Sequence, residues 1–216
     1  MTPLAWAAKT NDLCSIKTLL DLGSNPNISD NRDTAPLMMA TEVGCLAALI
    51  DGGAMVDAVD NLVQTPLFYA TNSTLAIKLL LDSGAFIDAL ESSRGMTAAH
   101  FCAENNRAVG LASLLEGGID PGIGTMDGST FLHTAFSSSN AAIFEVITSA
   151  VRNCSTWLDL AWIDGDGGSA RLLAEARMEK CPELEVPIMN LIRAVEDQKP
   201  LNGEDQVFKA AVHLRV

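Results

Sequence analysis

The sequence predicts an all-α solenoid of about five to six stacked helix-turn-helix units, and three observations predict it. A helix-start signal recurs as Thr2-Pro3-Leu4, Ala35-Pro36-Leu37, Thr65-Pro66-Leu67, Thr97-Ala98-Ala99-His100 and Thr130-Phe131-Leu132-His133. The anchors Pro3, Pro36, Pro66, Ala98, Phe131 and a weaker Ala170 are spaced by 33, 30, 32, 33 and 39 residues, a period of repeat arrays. Each start leads into a short alanine-rich stretch, a leucine-rich stretch, and usually a glycine. Proline at the first helical position loses no hydrogen bond, because that N–H has no partner anyway, and glycine just past a helix supplies the left-handed backbone that ends it.

Unit one is expected to place helices over Pro3 to Lys9 and Leu13 to Leu20, and it opens at Thr2 without a preceding turn. That start fits either a truncated cap or a piece of a longer chain. Units two and three are short: Pro36 to Gly53 is 17 residues and Pro66 to Gly84 is 18, against 20 in units one and four. The missing residues are expected in the inter-helix turn or at the start of the second helix, near Gly44 and Ser73, tilting these repeats and opening a crevice. Unit five keeps Thr130, Leu132 and His133 but has Ala150-Val151 in place of the closing Gly-Ala, then an insertion through Cys154, Trp157 and Trp162. For unit six the turn is assigned to Asp164–Gly168, the helix start to Ser169-Ala170, and the second helix to Ile188–Val195. The array thus spans 1–195, clear to about residue 150 and divergent beyond. Residues 196–216 read as a C-terminal loop with a capping helix over Gln206–Val212.

One pair of short helices cannot hide its apolar face, and helices under about 12 residues are marginal alone. Stacking answers both needs. Ala7, Ala40, Ala70 and Ala135 are small enough to let first helices approach closely, while the leucines of second helices fill the space between layers. Gly23, Gly53, Gly84 and Gly118 stand where the left-handed turn is expected, so Gly84→Val should loosen its neighbours as well.

These units resemble the ankyrin repeat. The matching residues are Thr65-Pro66-Leu67 with Ala70, Leu79-Leu80 and Gly84-Ala85, then Thr97 with His100, Ala103, Leu114-Leu115 and Gly118. Leu19-Leu20 before Gly23, Gly53-Ala54, and Thr130 with Leu132-His133 and Ala135 extend the match. The resemblance implies a curved array whose turn tips and first helices line a concave groove for partners. It also assigns His100 and His133 to the position at which a histidine ties neighbouring turns together.

With 48% hydrophobic and 19% charged residues, the chain has ample material for a buried core. Its net charge of −13, without a basic cluster, argues against binding nucleic acid or anionic membrane surfaces. Cys14, Cys45, Cys102, Cys154 and Cys181 are scattered about one per repeat, as expected of reduced thiols in a cytoplasmic or otherwise intracellular protein. No apolar run in the sequence approaches membrane-spanning length, and its first residues do not read as a basic-then-apolar segment, so an unexported protein is expected. The triplets at Asn27, Asn72 and Asn153 would accept glycans only in a secreted protein.

Motifs for chemistry are weak. Asp164-Gly165-Asp166-Gly167-Gly168 has the look of a calcium loop, with Glu175 at the twelfth position, but Ser169 stands where that loop needs glycine, and a repeat turn explains the same residues. Gly122-Ile123-Gly124 is too short for a dinucleotide fingerprint, and His213 has no evident partner. No metal and no cofactor is expected.

The function expected is binding of a partner protein or peptide through the concave face. Trp6, Met39, Tyr69 and Phe101 occupy one register position on successive first helices, and Arg32, Leu62, Arg94, Met96 and Met126 stand at turn tips. Aromatic, methionine and arginine anchors in a polar surround suit such a surface. The alternative is a small-molecule ligand and enzyme chemistry of the isomerase or cyclase type. There the apolar stripe would form a pocket at the shortened units, and Glu104 or Glu42, partly buried with a raised pKa, would move protons.

Overall fold

The computed structural model describes residues 1–138, 140–153 and 158–198, and across them twelve α-helices pair into six layers. Unit one holds α1 (Pro3–Lys9) and α2 (Leu13–Asp21), unit two α3 (Pro36–Met39) and α4 (Val43–Asp51), and unit three α5 (Pro66–Tyr69) and α6 (Thr74–Asp82). Unit four follows with α7 (Ala98–Glu104) and α8 (Ala108–Glu116), unit five with α9 (Phe131–Ser138) and α10 (Ala141–Arg152), and unit six with α11 (Ala170–Lys180) and α12 (Glu185–Glu196). First helices stack in the order α1, α3, α5, α7, α9, α11 and second helices in the order α2, α4, α6, α8, α10, α12. One buried apolar core runs through all six layers, from Leu4 and Ile16 through Leu49, Ile77 and Leu114 to Phe144 and Leu191.

Local signals in the chain account for the helix ends. Thr2 Oγ1 accepts the Ala5 N–H at 3.1 Å, and Ser169 Oγ accepts that of Leu172 at 3.2 Å, each satisfying a donor that the first helical turn leaves unpaired. At the other end, Gly84 adopts φ +91°, its N–H bonds the Leu81 carbonyl, and that of Ala85 bonds Leu80. This left-handed residue with two backward bonds closes α6 and pairs carbonyls that the helix terminus would otherwise strand.

Units two and three lose their residues in a different place from the one the spacing suggested. All four second helices from α2 to α8 have nine residues, whereas α3 and α5 have four against seven in α1 and α7. The last turn of the first helix is missing, and Gly44 and Ser73 sit where the full-length units have equivalents. In unit three the truncated chain sinks inward instead of opening: Thr71 is fully buried, and a Cβ at Gly110 of α8 would lie 2.1 Å from the Thr71 carbonyl oxygen. Only glycine permits that approach.

Unit five departs differently. Ala150 and Val151 do not close the repeat, because α10 continues to Arg152 as a twelve-residue helix. In unit six the helix start at Ser169-Ala170 stands as expected, while α12 begins at Glu185, ahead of Ile188, after a short 3-10 turn over Pro182–Leu184. The expected capping helix over Gln206–Val212, its lead-in from Lys199, and His213 lie outside the described residues, as do Cys154 and Trp157. Cys14, Cys45, Cys102 and Cys181 carry free thiols, and burial pushes the Cys102 thiol up to about 12.

Candidate functional site: the concave face

Each turn tip is built around a carboxylate or hydroxyl that binds its own loop. Asp30 Oδ1 accepts from the Arg32 and Thr34 N–H groups, and Asp60 Oδ1 from Leu62 and Gln64 at 2.8 and 2.9 Å. Asp164 Oδ1 accepts from Asp166 and Gly168 at 3.1 and 2.7 Å, so this would-be cation loop is the turn anchor of unit six, in register with Asp60. Unit four substitutes Glu91 and carries one extra residue in its turn; the longer side chain reaches the N–H groups of Ser93, Arg94 and Met96 at 2.7, 2.7 and 3.1 Å. Burial alone would raise this carboxyl, but those donors and the Ser93 hydroxyl outweigh it and hold Glu91 down to about 2.

Tips are then tied to one another. The Asn61 N–H bonds the Arg32 carbonyl, Ser92 bonds Leu62, Met126 bonds Arg94 and Gly165 bonds Asp127, one link per layer. In units four and five a histidine adds a second tie. His100 Nδ1 lies 2.9 Å from Thr97 Oγ1 and accepts the Thr97 N–H, leaving Nε2–H to donate to the Ser129 carbonyl at 3.0 Å. His133 repeats this with Thr130 and the Trp162 carbonyl. Burial pushes His100 down to about 4, so it is neutral at physiological pH and holds the array together as the ankyrin resemblance implied.

The structure brings the predicted stripe onto one face but grades its exposure. Trp6 is 57% exposed and Tyr69 40%, while Met39 and Phe101 are half-buried. Phe101 packs edge-on to Phe68 at 6.2 Å, with the Arg107 guanidinium 4.8 Å from its centroid. Tyr69 donates its hydroxyl to Asp60 Oδ2 at 2.7 Å, and burial together with that carboxylate pushes the phenol up to about 12. Arg32, Leu62 and Met126 stand exposed at tips, and so does the Arg94 guanidinium. Met96 does not: it is 4% exposed, with its N–H held by Glu91, at the position just before the helix start that also buries Thr34 in unit two. Sequence reading also passed over Val63, an exposed β-branched residue at φ +60° beside Leu62. The signal was legible in principle, since Gly128 and Gly167 occupy the same turn position with similar φ.

A cleft of about 430 Å³ crosses the face over units four to six and opens to solvent. Hydroxyls of Ser93, Thr125, Thr134, Ser137 and Ser138 line its walls, Met126 and Leu173 supply apolar surface, and Glu104, Asp127 and Asp164 supply carboxylates. The raised pKa that the enzyme alternative expected of Glu104 is not found. Both Glu104 oxygens accept from Arg94, at 2.7 Å each, and that guanidinium holds its carboxyl below the usual range instead of raising it. Glu42 is exposed on the N-terminal side of α4 and does not line this cleft. The cleft that contains Glu104 also lies away from the shortened units at which a pocket was expected.

Among the described residues no helix is long and apolar enough to cross a membrane. Residues 4–91 match the family model described as ankyrin repeats in three copies. Among curated proteins, the chain is 33% identical over 144 residues to the nuclear factor NF-kappa-B p105 subunit of Gallus gallus, covering 62% of this chain and 14% of that protein. It is 34% identical over 128 residues to the B-cell lymphoma 3 protein of Homo sapiens, covering 53% and 28%, and 30% identical over 162 residues to the Mus musculus homolog, covering 70% and 35%. The chain therefore spans from about a seventh to about a third of the length of these relatives. The crystal structure of an ankyrin repeat domain from Acinetobacter baumannii AYE superposes with a TM-score of 0.74 at 23% identity, covering 89% of this chain and 97% of that one, which extends the fold through units five and six. With the repeat signature, the stacked helix pairs and these matches together, the chain is an ankyrin repeat protein.

Proposed function

We propose that the chain is an intracellular protein-binding module that seats a partner protein or peptide on its concave face. The observation that carries this reading is the exposure of Trp6 and Tyr69 on first helices, at one register position, beside tips bearing Arg32, Leu62, Arg94 and Met126. Large aromatic and arginine side chains in such settings dominate interface energies. Val63 supports it: a β-branched residue in the left-handed region is strained by about 1–2 kcal/mol, and strain of this kind concentrates at functional positions. Ankyrin repeats in general mediate protein–protein interaction, and the buried, unpaired thiols of Cys45 and Cys102 suit a reducing compartment.

Affinity capture with the wild-type chain and with a Trp6→Ala, Leu62→Ala double variant tests the reading. The partner retained by the wild type should bind the variant at least about 30-fold more weakly, the loss of one interface anchor, at unchanged melting temperature. Equal retention would show that this face is not the docking surface.

A further inference from the structure

The cleft over units four to six carries an excess of negative charge among its described lining residues. Among the described residues its one cation, Arg94, is spent on Glu104 through both terminal nitrogens, which leaves the pair neutral. Asp127 and Asp164 remain, on adjacent tips joined by the Gly165 N–H to Asp127 carbonyl bond, and neither forms an ion pair with any described residue. Both negative charges face a solvent-open groove of about 430 Å³ with apolar surface from Met126, which is 74% exposed, and from Leu173. The chain as a whole carries −13, so long-range attraction also favours a cationic partner and repels an anionic one.

We propose that this cleft takes an extended, arginine- or lysine-bearing segment of the partner protein, with the cation between Asp127 and Asp164 and a neighbouring apolar side chain against Met126 and Leu173. This rests on the concave-face reading above and gives its partner a chemistry. Three stacked layers at helix-packing distances of about 10 Å span about 20 Å, the length of roughly six extended residues. The wall hydroxyls donate within the fold, Ser137 to the His133 carbonyl and Ser138 to that of Thr134, which leaves their oxygens to accept from backbone N–H groups of such a segment.

The test uses the full chain and three fluorescein-labelled peptides of about eight residues, the span just estimated plus one residue at each end. All three share leucine and serine positions and differ only in carrying arginine, glutamine or glutamate. By fluorescence anisotropy the arginine peptide should bind about ten-fold or more tighter than the glutamine peptide, and more weakly as salt is raised, while the glutamate peptide should show no saturable binding. Asp127→Asn keeps an oxygen for the Thr125 hydroxyl and the Ser129 N–H, so it preserves the tip; it should weaken the arginine peptide about ten-fold. Glu145→Gln removes the same charge from the exposed surface of α10 and should change nothing. Binding that ignores peptide charge, an unaffected Asp127→Asn variant, or no binding of any peptide overturns the proposal. A chain that still loses its captured partner through Trp6 and Leu62 while treating the three peptides alike loses this inference and keeps the broader reading.

Discussion

Units two and three and units four and five stack in the same way but are tied by different means. In the latter pair, a threonine at the helix start and a histidine three residues on form a clamp whose far nitrogen reaches the next turn, as Thr97 and His100 do with Ser129. Units two and three carry Met38 and Phe68 at the histidine position, both buried, and there the contact is apolar. Thr65 Oγ1 in unit three is accordingly buried without a hydrogen-bond partner. The concave surface follows the same division. The N-terminal half presents Trp6, Tyr69, Leu62 and Val63, and the C-terminal half presents a hydroxyl- and carboxylate-lined cleft. A repeat fold therefore needs the period and the packing. The device that fastens one layer to the next can change from unit to unit, and the surface chemistry changes with it.

The junction between the halves is the sharpest place to break this. Gly110→Val should destabilise the chain by about 3 kcal/mol or more in chemical denaturation, since its Cβ would sit 2.1 Å from the Thr71 carbonyl oxygen, a backbone atom. Gly44→Ala is the matched control in α4: its nearest neighbour is Leu13 Cδ2 at 3.6 Å, so helix propensity should make it neutral or stabilising by up to about 1 kcal/mol. Similar losses at both sites would show that the short unit does not press on α8.

Next in size is the acid response of the histidine clamp. His100 has its value lowered on folding from 6.5 to about 4, so the folded state favours the neutral ring. The stabilisation is complete above about pH 6.5 and is lost as pH falls towards 4, amounting to about 3 kcal/mol. His100→Met, which copies unit two, should remove that part of the pH dependence. The contribution of Glu91, lowered from 4.5 to about 2, should survive in the variant and fade between those two values. An unchanged profile between pH 6.5 and 4 in His100→Met would place the acid sensitivity elsewhere.

The smallest expected effect separates stability from binding. Val63→Gly should raise stability by about 0.5–1 kcal/mol by relieving the φ of +60°, less the entropy that glycine loses on folding. It should also weaken the partner captured by the concave face. A stabilised variant that binds as well as the wild type would reduce Val63 to unexplained strain.

Much of the architecture was legible before any coordinates. Helix starts, terminating glycines and the histidine ties are local devices, each written within a few residues, and they stand in the structure at the expected numbers. The position of the missing residues was not legible, because an interval between Pro36 and Gly53 gives a length without saying which helix gave it up. Met96 was misplaced because the last residue of the turn faces the core, as Thr34 also does in unit two, and the side a turn residue faces is set by packing of the turn on its own layer. The raised pKa expected of Glu104 was not legible as wrong in the sequence, because Arg94, ten residues earlier, reaches it only after the unit-four tip folds over α7.

The chain on its own determined the repeat, its period, the helix boundaries set by proline, threonine and glycine, and the acidic character that disfavours anionic partners. Those properties depend on neighbours in sequence or on sums over it. Tertiary structure alone decided which side chains of the stripe remain exposed, that the truncated first helix of unit three closes onto Gly110, and that Asp127 and Asp164 share a cleft in which Arg94 is already paired. These depend on atoms about 30 to 40 residues apart being held within a few ångströms, and only the packing of one layer on the next supplies that distance.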